Sequence, residues 1–160
     1  MPEIITPIQK KILKFLVKKL QENNIPFHVS GGLAAILYGV KRPLNDIDID
    51  IYGRNIPNVE SIFENYIIDN FDHYQDTHFD IYLMTLEIEG VKVDITQEEN
   101  ILFFNSQGRK IANKGSIQNA HVVQWEDINV PVQDKTELIE YKKIIARDTD
   151  LEDVLGLESL

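Results

Sequence analysis

The chain contains no cysteine, which excludes disulfides and thiol chemistry; the lack suits a reducing cytoplasm without requiring one. Cations are also scarce. Lys and Arg number 16 against 26 Asp and Glu, a net charge of −10. General DNA or other nucleic-acid backbone binding calls for a basic surface, so only a local basic patch stays open. No apolar run approaches the roughly 18 residues of a membrane helix, and Met1-Pro2-Glu3-Ile4-Ile5 lacks the apolar core of a signal peptide. A soluble, cytoplasmic protein that does not engage membranes is expected. The four histidines, His28, His73, His78 and His121, have no metal-ligand spacing beyond a weak His78-x-Asp80, and no Ser-His-Asp set or glycosidase carboxylate pair emerges. No internal repeat, low-complexity tract or long linker divides the chain. Its 160 residues are therefore expected to form a single domain over 1–160.

What the chain does have is Asn45-Asp46-Ile47-Asp48-Ile49-Asp50-Ile51-Tyr52. Alternate residues of a strand point to opposite faces. Ile47, Ile49 and Ile51 thus make a core face, and Asp46, Asp48 and Asp50 line the other. Aspartate is a poor strand former, and like charges in a row repel. A merely solvated face would use Thr, Lys or Gln. Aspartates two apart on a rigid strand have a use in holding a divalent cation, which takes hard oxygen ligands.

Around this strand the rest of the chain falls into order. Thr6-Pro7-Ile8-Gln9 is a helix start with a capping box, followed by Ile8, Ile12, Leu13, Leu16 and Leu20 at helical spacing, with a solvated lysine stripe opposite. Phe27-His28-Val29-Ser30 reads as a short buried strand, with His28 a packed residue. Gly31-Gly32 and a small-residue helix to Gly39 come next. A strand, a glycine turn and a helix N-terminus together present N–H groups to an anion. Arg42, in the loop before Asp46, either contacts a phosphate or offsets the aspartates. A helix follows Gly53, and Asp69 to His78 reads as a loop in which His73 and His78 could face a site. Strands are expected at Phe79–Ile88 and Val91–Thr96, the second carrying Lys92, Asp94 and Thr96 on its polar face. Ile101–Phe104 is helix or strand. Ser106–Lys110 and Asn113–Ser116 read as turns, and His121–Trp125 with Ile128–Val132 as a hairpin. C-terminal helices begin at about residue 134, the first capped by Asp134 and the last by Thr149 with Glu152. The mixture predicts an α/β (α+β) fold, a mixed sheet of about five strands with helices packed against it.

Ser30-Gly31-Gly32, then Arg42, then Asp46-Ile47-Asp48-Ile49, then an isolated Asp94, resembles the nucleotidyltransferase superfamily. The resemblance is strongest to its small members: minimal nucleotidyltransferases, antibiotic-modifying adenylyltransferases and related toxin–antitoxin components. Lys142 followed by Arg147-x-x-Asp150 is similar to the tail of the same proteins. The resemblance implies a metal-dependent enzyme that moves a nucleoside monophosphate, AMP from ATP in the first instance, onto a hydroxyl of a small molecule, protein or RNA. It implies two Mg²⁺ ions (or Mn²⁺) on Asp46 and Asp48, with Asp94 sharing an ion and helping to deprotonate the acceptor. Ser30, Gly31 and Gly32 would hold the β,γ-phosphates, and Lys142 would reach the nucleotide. Asp50 is an extra acid without an implied role, and Arg147, Asp150 and Asp153 also read as helix caps and surface pairs. In so short a chain a homodimer or partner protein is a natural source for the rest of an acceptor site. The alternative on the same fold is a non-catalytic antitoxin or regulatory binding protein.

Overall fold

Thr6 caps the first helix. Its Oγ1 accepts from Gln9 N–H at 3.2 Å, and Gln9 Oε1 accepts from Thr6 N–H at 2.9 Å. In this computed structural model, which describes residues 3–160, the helix, α1, spans Pro7–Glu22 and buries Ile12, Leu13, Leu16, Val17 and Leu20. Its lysines face acids on two turns: Lys10 and Lys14 meet Glu126, and Lys11 meets Glu89. Gln9 Nε2–H donates to Leu44 O at 3.0 Å, which ties α1 to the segment entering the aspartate strand.

The remaining elements are β1 (Phe27–Ser30), α2 (Gly31–Tyr38), β2 (Ile47–Ile51), α3 (Ile56–Ile62), β3 (Ile67–Gln75), β4 (Phe79–Ile88), β5 (Val91–Gln97), β6 (Leu102–Phe104), β7 (Lys110–Ala112), β8 (His121–Trp125), β9 (Ile128–Val132), α4 (Lys135–Ile145) and α5 (Asp148–Glu158). The strands form one mixed sheet ordered β7-β6-β4-β5-β2-β1-β9-β8, with β3 paired to β4. The β2–β5 pair is parallel, and its neighbours β1–β2 and β4–β5 are antiparallel. Ile47, Ile49 and Ile51 are fully buried and share one core with the apolar stripe of α1.

The architecture matches the mixed-sheet expectation, but the sheet has nine strands, not about five. The largest difference is β3, within the stretch expected to be a loop. It is mostly exposed and carries two register shifts against β4. A strand with neither face buried has no need to alternate apolar and polar residues, so the signal that marks a strand is absent. Leu102–Phe104 resolves as strand. The last helix begins at Asp148, a residue before the expected cap Thr149. Its first turn is secured by Asp150, whose carboxylate accepts from Arg147 N–H at 3.2 Å. No helix among the described residues is long and apolar enough to cross a membrane.

Candidate active site

Two adjacent rungs of the sheet build the site. On one rung Ser30 of β1 lies opposite Asp48 of β2, Asp48 opposite Asp94 of β5, Asp94 opposite Thr85 of β4, and Thr85 opposite Asp69 of β3. Two residues along, on the same face, the second rung reads His28, Asp50, Thr96, Leu83 and Asp72. Neighbouring strands stand about 4.8 Å apart, so the register brings Asp48 and Asp94 side by side, and Asp46 flanks Asp48 on that face. Above these rungs opens a cavity of about 820 Å³, lined among others by Ser30, Gly31, Asp46, Asp48, Asp94 and Lys142.

The turn after β1 is fitted to Asp48. Gly31 has φ +62°, and a Cβ there would lie 2.5 Å from Asp48 Oδ2. Only glycine allows both the left-handed backbone and the close approach. At Gly32 a Cβ would lie 2.5 Å from Arg42 Nη2. The two glycines thus let the turn sit against a carboxylate and a guanidinium at once.

Burial and the surrounding charge act on the aspartates. Burial first, then Asp94, Asp50 and Asp46, pushes the Asp48 carboxyl up to about 8, with Lys142 opposing. Burial likewise raises Asp94, while Thr85 Oγ1–H, donating to Asp94 Oδ1 at 2.8 Å, holds it down. Carboxylates raised in this way are short of positive charge. The oxygen-only donor set of Asp46, Asp48 and Asp94 suits a hard cation. Among the described residues no group of three or more His, Asp or Glu side chains is arranged to hold a metal ion by itself.

Asp50 is not a surface residue, although it borders the cavity. It is buried, accepts from Ser30 Oγ–H at 3.3 Å, and pairs with His28 Nε2 at 2.7 Å. His28 is packed as expected, and its partner explains how a third aspartate is tolerated beside Asp48. Lys142, not Lys143, turns inward: it is 2% exposed, whereas Lys143 pairs with Glu158 at the surface. Arg42 lines the cavity with its Nε and Nη2 on Asp153 at 2.7 and 2.9 Å. Asp150 and Asp153, which the sequence allowed to be surface residues, are fully buried. His73 lines the cavity, but its ring is engaged by Asp80 at 2.5 Å. Residues the sequence did not single out are Thr85, Gln133 and Tyr141. Thr85 could have been found from its register opposite Asp94. Gln133 and Tyr141 carry no local signal.

Comparison with known proteins bears on the family and the fold. The family model of aminoglycoside-2''-adenylyltransferase matches residues 12–136. Among solved structures, a Thermotoga maritima protein assigned provisionally as a nucleotidyltransferase superposes with TM-score 0.74 at 19% identity, covering 98% of this chain and 96% of its own. The lincosamide antibiotic adenylyltransferase LnuA, solved with lincomycin, gives 0.65 at 19% identity and covers 98% and 99%. ANT(2")-Ia, solved with adenylyl-2"-tobramycin, gives 0.66 at 15% identity and covers 95% and 88%. None of the curated proteins matches this chain. At these identities the structures establish a shared fold, while the family model spans most of the chain. The chain belongs to the aminoglycoside-2''-adenylyltransferase family within the nucleotidyltransferase superfamily, and is a nucleotidyltransferase.

Proposed function

We propose that this enzyme transfers AMP from ATP, with Mg²⁺, to a hydroxyl of an amine-bearing small molecule. The observation that carries the reading is the rung Ser30–Asp48–Asp94, with Gly31 packed on Asp48. The Ser30-Gly31-Gly32 turn and the N-terminus of α2 hold the β,γ-phosphates. Arg42 and Lys142 add charge-assisted donors. Asp46 and Asp48 would hold the metal, joined by Asp94 on the acceptor side. When bound, paired ions stabilise the entering and leaving oxygens. The acceptor oxygen forms a bond to the α-phosphorus, the bond from that phosphorus to the β-phosphate oxygen breaks, and pyrophosphate leaves. Asp94 takes the hydroxyl proton, and Thr85 keeps its carboxylate oriented.

The acceptor lies over the β3–β4 arm, where Phe71, Tyr74, Phe79 and Ile81 line the cavity beside Asp69 and Asp72. An apolar floor with an acidic rim suits a cation with an apolar face, and the net charge of −10 favours its approach. The test is transfer of label from α-phosphate-labelled ATP, with Mg²⁺, to tobramycin, lincomycin and related amines. Transfer that survives Asp46→Asn combined with Asp48→Asn would sink the assignment.

A further inference from the structure

The C-terminal helix brings two carboxylates to the cavity wall without exposing them. Asp153 accepts from Arg42 Nε–H and Nη2–H at 2.7 and 2.9 Å and meets Lys142 Nζ at 2.9 Å. Asp150 meets Lys142 Nζ at 3.5 Å and accepts from Arg147 Nε–H at 2.7 Å. The result is a continuous chain Arg42–Asp153–Lys142–Asp150–Arg147 that joins the loop before β2 to α4 and α5. All its cations line the cavity.

None of those cations is used up by its carboxylates. Arg42 commits Nε and Nη2 to Asp153, and its Nη1 reaches only Pro43 O at a long 3.4 Å. The Lys142 ammonium has one hydrogen more than its two carboxylates take. Arg147 keeps its Nη1 hydrogens. Three cations stand against two carboxylates, so the network keeps a net positive charge beside the cavity. Here each cation is fixed by one edge and offers another. Long side chains otherwise lose much rotamer freedom when they bind a ligand.

We infer that Asp153 and Asp150 are positioning residues for the triphosphate, holding Arg42, Lys142 and Arg147 in the orientation in which their spare N–H groups meet phosphate oxygens. The C-terminal helix is on this account part of the nucleotide site. The inference rests on the nucleotidyl-transfer reading and adds that Asp153 acts through Arg42 and Lys142 without touching the nucleotide.

The test is calorimetric titration of the full chain with ATP and Mg²⁺, without acceptor. Asp153→Asn should weaken ATP binding by about tenfold or more, the worth of a charge-assisted hydrogen bond, and leave the KM of the acceptor unchanged. Against an Arg42→Gln background the same substitution should cost less, because one of the two groups it positions has gone. Unchanged ATP affinity, or an equal loss in both backgrounds, overturns the inference. If Asp153→Asn does not fold, Arg147→Gln replaces a side chain that is 39% exposed and probes the Asp150 arm. ATP binding should weaken several-fold there, and unchanged binding overturns the inference. A wild type that binds no ATP overturns the nucleotidyl-transfer reading together with this one; a wild type and variants that bind equally overturn this one alone.

Discussion

Helix α1 and the α4–α5 pair both set lysines against carboxylates at almost the same distance. Lys10 lies 2.8 Å from Glu126 and Lys14 lies 2.8 Å from Asp127, while Lys142 lies 2.9 Å from Asp153. The difference is water. The side chains of Lys10 and Glu126 are 41% and 34% exposed, those of Lys142 and Asp153 2% and 0%. In water such pairs are screened and often contribute nothing measurable. Out of water the charges are costly to bury, and a well-packed apolar cluster would serve stability as well or better. The buried network therefore makes sense as part of a site, and the exposed stripe as a solvated face whose lysines meet the acidic turns in water. Distance alone does not distinguish them.

Substitutions can break or sharpen this contrast. On the site side, Asp48→Asn should lower transfer by on the order of a thousandfold if, as proposed, its charge faces the metal and is worth several kcal/mol to the transition state; steady-state rates with the wild type's acceptor check it. Lys142→Ala should cost about 3 kcal/mol in urea unfolding, because it takes the shared cation from two buried carboxylates and leaves each with a single arginine, whereas Lys10→Ala should leave the unfolding midpoint where it was. A stable Lys142→Ala protein would erase the distinction between the two regions. Two glycines give a finer version. Gly31→Ala and Gly90→Ala both force alanine into the left-handed region, with φ +62° and +82°, at about 1–2 kcal/mol each. Only Gly31 faces Asp48, and a Cβ at Gly90 meets nothing within 4 Å. Both variants should melt lower, and only Gly31→Ala should lose transfer.

The pH dependence follows from Asp48. Its carboxyl is raised to about 8 in the folded protein and titrates near 3.9 when unfolded. Between those values the metal-free fold holds a proton the unfolded chain has released, so the stabilising contribution is complete below about pH 4 and drains away as pH rises towards 8. Asp48→Asn removes this loss. Its metal-free Tm should exceed the wild type's, by more at pH 8 than at pH 5. A gain that shrinks as pH rises would contradict the burial of this charge.

The centre of the site was legible because its chemistry demands unusual residues. Three aspartates on one strand and a glycine pair before a helix are poor choices for folding alone, and Asp94 stood opposite a core stripe on a later strand. The order of β2 and β5, however, is a fact of pairing, and only the register sets Asp94 beside Asp48 and Thr85 beside Asp94. Burial of charge was the least legible feature. Asp50, Asp150 and Asp153 look like surface residues in sequence, and each lies inside because a distant cation or imidazole meets it: His28, Lys142, Arg147 or Arg42. Exposed β3 escaped notice for the opposite reason, since nothing buried imposed a pattern on it.

The account turns on Asp48 and Asp94 forming one cation- and nucleotide-binding site with the Gly31 turn. Titration of Mn²⁺ followed by electron paramagnetic resonance, with and without a non-hydrolysable ATP analogue, tests this most directly. The wild type should bind Mn²⁺ weakly alone and much more tightly with the analogue, and Asp48→Asn and Asp94→Asn should each remove that gain. Equal Mn²⁺ binding by wild type and both variants in the presence of the analogue would contradict it.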